Sequence, residues 1–271
     1  MAGARLIAVV DSLDVGYDDV GSGAGVPLLF VHAFPLNRTM WAPQVSALVE
    51  RCRCVAADLR GFGDSSVRPP YSMEQFADDL AHLLDQLHIE KVVFCGLSMG
   101  GYVAFAFWRR HRQRVRALVL ADTRATSDTE ETLARRRQII QLAHVDGATA
   151  VANAQIPSMI GKTSREKQPD TYDAMHRMIA QAPVEGIVGA LEAMMVRPDS
   201  TSILATIDVP TLIVVGDEDA ITPVKEARAM HERIPGSRLE VISQAGHLSN
   251  VERPAAFNHL LTEFLVALTY S

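Results

Sequence analysis

The stretch best equipped for chemistry in this chain is a serine set between two glycines, Gly96-Leu97-Ser98-Met99-Gly100. The apolar, β-branched segment 91–95 before it reads as a buried strand, and segment 101–108 after it reads as a helix buried on most sides. A serine on so tight a strand-to-helix turn is forced into strained backbone angles. Side chains two residues before and two after it would collide, so glycine is needed at both places. The strain lifts the hydroxyl above the sheet edge, and the first N–H groups of the following helix point at the same spot, where negative charge can settle. A serine hydroxyl is a weak nucleophile at neutral pH. It needs a base within hydrogen-bond reach, and the base needs an orienting acceptor.

Both partners should sit on loops after later strands. Segment 239–242 reads as the last strand, and Ser243-Gln244-Ala245-Gly246-His247 follows it, which makes His247 the candidate base among nine histidines. The strand read at 209–215 is followed by Gly216-Asp217-Glu218-Asp219-Ala220-Ile221-Thr222-Pro223, a carboxylate-rich turn leading into a helix. Asp122 follows another strand, 115–121. The residues alone therefore leave Asp122, Asp217 and Asp219 as candidate orienting acids.

The elements that must position these groups alternate. Strands are read at 5–11 and 13–20 (a leading hairpin), then at 26–32, 53–57, 91–95, 115–121, 209–215 and 239–242, with a flexible Gly/Ser turn at 21–25. Helices are read at 39–50 with Thr39 as cap, at 72–87 with Ser72 and Gln75 as a capping box, and at 223–234 and 253–268. This predicts an α/β fold: a mainly parallel eight-stranded sheet flanked by helices, whose ligands bind beyond the carboxyl ends of the strands. Segment 124–206 breaks the alternation. It shows helical patterns at 128–144, 147–158, 168–180 and 184–196 and no strand, so it reads as a helical cap lying over the strand ends, with 1–123 and 207–271 as the core.

Taken together these motifs resemble the α/β-hydrolase superfamily over essentially the whole chain. The glycine-flanked serine, the acid turn Gly216-x-x-Asp219-x-x-x-Pro223, the histidine loop Ala245-Gly246-His247, and Asp58-Leu59-Arg60-Gly61-Phe62-Gly63-Asp64-Ser65 each match a family motif. The order serine, acid, histidine is that of hydrolases built on this elbow. The resemblance selects Asp219 as the acid, giving Ser98, Asp219 and His247 as the catalytic set. His32-Ala33-Phe34-Pro35 is similar to the family's oxyanion loop, with alanine in place of the usual glycine. By that likeness the backbone N–H groups of Phe34 and Met99 form the oxyanion hole, while His32, Asp58 and Arg60 brace loops. A serine rather than an aspartate at the elbow implies an acyl-enzyme and sets the chain apart from the family's haloalkane dehalogenases and epoxide hydrolases. The implied activity is hydrolysis of carboxylic esters with small to medium, mostly apolar acyl groups, without cofactor or metal. Alternatives on the same fold are a lactonase resembling 3-oxoadipate enol-lactonases, a perhydrolase of the cofactor-free haloperoxidase type, and a non-catalytic ligand-binding protein.

Composition narrows the partners. The 271 residues are 48% hydrophobic and carry 26 basic against 32 acidic side chains, a net charge of −6. With no strongly basic segment, nucleic acid is not an expected partner. The one triple basic run, Arg135-Arg136-Arg137, reads as a solvated helix face. No apolar run is long enough to span a membrane or to form a secretory leader, and Cys52, Cys54 and Cys95 read as buried thiols, so a cytoplasmic protein is expected. Half of the ten methionines (Met159, Met175, Met178, Met194 and Met195) fall in the cap, where flexible thioethers suit an adaptable apolar pocket.

Overall fold

A computed structural model describes residues 6–10, 13–21 and 25–269. Arg5 and Asp11 of the expected hairpin, and residues 22–24 of the glycine-rich turn, lie outside the described residues. Eight strands form one sheet: β1 (Leu6–Val10), β2 (Leu13–Val20), β3 (Leu28–Val31), β4 (Cys54–Ala57), β5 (Val92–Leu97), β6 (Val115–Ala121), β7 (Thr211–Gly216) and β8 (Arg238–Ile242). Their spatial order is β1-β2-β4-β3-β5-β6-β7-β8. The β1–β2 and β2–β4 pairs are antiparallel and all other pairs are parallel. Every residue of β3, β4, β5 and β7 is buried, as their unbroken apolar runs require of strands covered on both faces. The edge strands β1 and β8 are partly exposed.

Helices α1 (Ala42–Leu48), α2 (Met73–Gln86), α3 (Met99–His111), α8 (Val224–His231), α9 (Ser249–Glu252) and α10 (Pro254–Thr269) surround the sheet. Helix α2 packs on α3, α3 on β5, and α1 on α10. Between β6 and β7 lie α4 (Glu130–Met159), α5 (Lys162–Lys167), α6 (Pro169–Ala180) and α7 (Val184–Met195), with no strand among them.

Some local expectations are corrected. Thr39 is not a helix cap: the Asn37 side chain accepts from the Thr39 amide and caps a 3₁₀ turn, Arg38–Trp41, after which Pro43 in the first turn starts α1. Ser72 does cap α2 by accepting from the Gln75 amide, but the Gln75 side chain donates to Asp79 instead of returning to the cap. The two helices read at 128–144 and 147–158 are present as two helical segments within α4 (Glu130–Met159), and they meet at Gly147, whose φ of 77° and ψ of −176° are not helical. Cys52 lies just ahead of β4, with its Sγ 3.8 Å from that of Cys54. All three cysteines are buried and unpaired. No helix among the described residues is long and apolar enough to cross a membrane.

Candidate active site

Strand β5 runs up to Leu97 and α3 begins at Met99, so Ser98 is the single residue of the turn. Its backbone sits at φ 55° and ψ −110°, a conformation that only a tightly held site retains. Both flanking glycines are required by contact. A Cβ on Gly96 would lie 2.2 Å from the Gly100 carbonyl oxygen, and one on Gly100 would lie 2.3 Å from that of Val31. Thr123, which sequence reasoning passed over, donates its hydroxyl hydrogen to the Ser98 carbonyl at 2.8 Å and pins the turn from the end of β6.

The Ser98 hydroxyl lies 2.7 Å from His247 Nε2, and His247 Nδ1 lies 2.8 Å from Asp219 Oδ2. A carboxylate facing Nδ1 fixes the proton there, so Nε2 keeps a lone pair for the serine hydrogen. Asp219 is itself held from every side. Its Oδ1 accepts from the Ile221 and Thr222 amides at 2.8 and 2.9 Å, and its Oδ2 accepts from the Thr222 hydroxyl at 2.7 Å. Burial pushes this carboxyl up, but His247 and the Thr222 hydrogen bonds outweigh that and hold it below the usual aspartate range. Thr222 was not singled out by sequence; its place just ahead of Pro223 in the acid turn was the available signal.

The two other candidate acids are occupied elsewhere. Asp217 is exposed and accepts from the Gln244 amide. Asp122 is fully buried at the end of β6 and accepts from the Gly216 amide and the Ser249 hydroxyl. Burial, with the charge of Asp219 adding to it, raises the Asp122 carboxyl well above the ordinary range.

Phe34 follows β3 and Met99 opens α3, and neither backbone N–H donates to a protein acceptor among the described residues. His32 holds the loop between them. Its Nδ1 donates to the Ala33 carbonyl at 2.9 Å and its Nε2 accepts from the Leu59 amide at 3.0 Å. Complete burial drives its pKa down to about 4, so the ring is neutral. Arg38 reaches Asp58, Asp18 and Asp64. Arg60 does more than brace its own loop: it forks onto Asp79 of α2 through two 2.6 Å hydrogen bonds.

Above Ser98 and His247 opens a cavity of about 450 Å³, within the range of small-molecule sites. Phe34 and Tyr102 line it from below, and Ile139, Met159, Leu191 and Met194 line it from the helices between β6 and β7. Of the five methionines in segment 124–206, Met159 and Met194 therefore reach the cavity. Arg135 and Arg136 line it too, while Arg135 and Arg137 are exposed, as read for a solvated face, and Arg136 is half-buried. Arg136 pairs with Asp128, a carboxylate shared with Arg124 and Arg197, and only Arg137 of the triplet faces solvent away from the cavity. Among the described residues, no group of three or more His, Cys, Asp or Glu side chains is arranged to hold a metal.

A sharp serine turn at the end of a central parallel strand, facing a histidine from the loop after the last strand, is an arrangement with known relatives. The model of the alpha/beta hydrolase fold family matches residues 26–254. The chain belongs to this family. Its solved relatives include a thermophilic esterase from Thermogutta terrifontis, studied with malate bound, which is 39% identical with a TM-score of 0.93, the match covering 98% of this chain and 99% of that one. The enol-lactonase of Burkholderia xenovorans LB400 is 30% identical with a TM-score of 0.90, covering 96% of this chain and all (100%) of that one. Among characterised sequences, 3-oxoadipate enol-lactonase 2 of Acinetobacter baylyi is 30% identical over 249 residues, 90% of each chain. The chain is thus a member of a hydrolase family whose relatives include esterases and enol-lactonases.

Proposed function

We propose that this hydrolase cleaves carboxylic esters of small to medium, mostly apolar acyl groups, with Ser98 as nucleophile, His247 as base and Asp219 as its orienting acid. The observation that carries the reading is the unbroken hydrogen-bonded chain Ser98–His247–Asp219 at the floor of a cavity of about 450 Å³. The substrate carbonyl enters above Ser98. His247 Nε2 takes the hydroxyl proton as Oγ attacks, and the oxyanion is received by the N–H groups of Phe34 and Met99, two donors aimed where charge develops. The protonated His247 gives its proton to the departing alcohol, leaving Ser98 acylated. Water then attacks the acyl carbonyl as His247 removes its proton, and that proton passes to Ser98 Oγ as its bond to the acyl carbon breaks and the acid is released. Residues 124–206 serve as the cap that closes the acyl pocket, and no cofactor takes part. The three unpaired, buried cysteines support a reducing compartment, in keeping with a cytoplasmic enzyme.

Lactones are cleaved by the same steps, and the likeness to enol-lactonases favours a lactone as the second substrate class. The deciding experiment is turnover of p-nitrophenyl butyrate beside a panel of lactones, with Ser98→Ala as control and a serine-directed organophosphonate as label. Turnover lost in Ser98→Ala and labelling confined to Ser98 are expected. Activity retained by Ser98→Ala, or inactivation with the label on another residue, overturns the assignment.

A further inference from the structure

The histidine loop is gripped by a carboxylate that the chemistry above does not use. Glu252, the last residue of α9, is fully buried. Its Oε2 accepts from the Gly246 amide at 3.0 Å and the Gly161 amide at 2.9 Å, and its Oε1 accepts from the Leu248 amide at 3.1 Å. The amide between, that of His247, donates to the Met159 carbonyl at 3.0 Å. Three consecutive amides centred on His247 are therefore all committed: two to one side chain, and the third to the last residue of α4.

Gly161 follows that same helix end, so Glu252 holds the root of the cap and the histidine loop together. The backbones meet closely: a Cβ on Gly246 would lie 2.2 Å from the Gly161 nitrogen. A second carboxylate, Glu218 of the acid turn, accepts from the amide and hydroxyl of Thr163 just beyond. An ionised carboxylate can accept several hydrogen bonds at once, and bonds to a charged acceptor are about twice as strong as neutral ones. No neutral side chain of the same size offers acceptors alone.

We infer that Glu252 is a positioning residue for His247, fixing the imidazole's loop through the flanking amides and tying it to the cap root at Gly161. The inference rests on the reading of His247 as base. Substitution Glu252→Gln keeps the shape but places an NH₂ among converging N–H donors. At least one amide then loses its acceptor, and the loop must shift. A misplacement of about 1 Å at a reacting group costs on the order of 10²-fold in rate. The experiment measures kcat for p-nitrophenyl butyrate per active site, counted by stoichiometric phosphonate labelling, so that unfolded molecules are not scored.

Wild type, Glu252→Gln and Glu252→Asp are compared. Glu252→Gln is expected to lose about 10- to 100-fold in kcat per labelled site with KM changed by less than about threefold. Glu252→Asp keeps the carboxylate but cannot span all three amides. It should lose kcat per site with KM likewise little changed, and it decides the matter if Glu252→Gln does not fold. Per-site kcat within about threefold of wild type in Glu252→Gln, or in Glu252→Asp where the glutamine variant is unfolded, overturns the inference. That result with Ser98→Ala still inactive leaves the ester-hydrolase reading standing; activity in Ser98→Ala removes both.

Discussion

Asp219 and Asp122 are both buried carboxylates at adjacent strand ends, and replacing each with asparagine separates their roles. In Asp219→Asn the side-chain oxygen still accepts from the Ile221 and Thr222 amides, so the turn is preserved. The new NH₂ then stands where Oδ2 stood, 2.8 Å from His247 Nδ1. Donor now faces donor, and the imidazole relieves this by moving its proton to Nε2. That nitrogen then points a hydrogen at Ser98 instead of a lone pair. The wrong tautomer and the missing counter-charge together cost about 10⁴ in kcat, or about 5 kcal/mol of barrier. In Asp122→Asn the consequence differs. Burial and the Asp219 charge push that carboxyl up, towards its neutral form, so removing its charge costs little there. The Gly216 amide keeps its acceptor, and the Ser249 hydroxyl can turn to accept from the new NH₂. We expect kcat within about fivefold of wild type. Steady-state hydrolysis of p-nitrophenyl butyrate, with urea unfolding of each variant to confirm the fold, reads both. A crippled Asp122→Asn beside an active Asp219→Asn would refute the reasoning and move the acid to β6.

Three further outcomes are expected. His32 binds no proton in the folded protein until about pH 4, whereas its ordinary value is 6.5. The unfolded chain therefore holds the extra proton between these values, and stability falls as pH drops through that window, by about 3 kcal/mol in total. Denaturant melts at pH 7 and pH 4 should show this loss, reduced in His32→Gln. Replacing Arg60 with methionine strands the Asp79 carboxylate, 5% exposed, without its guanidinium, and should lower unfolding free energy by about 3–5 kcal/mol; an unchanged urea midpoint would count against it. Acyl chains of about C2 to C6 should be preferred over longer ones in a cavity of about 450 Å³, and a rate that climbs steadily to C12 would contradict that.

The parts of this molecule that could be read in advance are those where one local rule acts alone. The continuous apolar runs of β3, β5, β6 and β7 have no partner but a sheet covered on both faces. The glycines around Ser98 have no reason but the turn. Bringing Ser98, Asp219 and His247 together needed the sheet order as well, which places the ends of β5, β7 and β8 along one edge. What stayed illegible depended on competition or distance. Asn37 and Thr39 are both good caps, and only the entry angle of the chain decides that Asn37 accepts from Thr39. Helix α5 is short and polar, with one buried residue, and carries no periodic signal. Arg135 and Arg136 have the sequence look of a wet surface; Arg136 turns to the cavity because Asp128, two turns ahead, anchors it, while Arg135 lines the cavity and stays exposed. Glu252 gives no hint of its task, since its partners Gly161 and Gly246 are glycines whose contribution is an amide and the lack of a side chain.

The bend in α4 sets the width of the pocket by a single dihedral pair. The segment before Gly147 brings Arg135, Arg136 and Ile139 to the cavity, and the segment after it brings Gln155 and Met159. A Cβ on Gly147 would meet nothing within 4 Å, so packing does not dictate the residue. The constraint is its backbone, in a region essentially closed to any residue with a side chain. A change at this one half-buried position would re-aim one wall of the pocket against the other without touching substrate, Ser98, His247 or the core. The substrate range of the enzyme is thereby separable from its chemistry, and selection can retune the first while leaving the second in place.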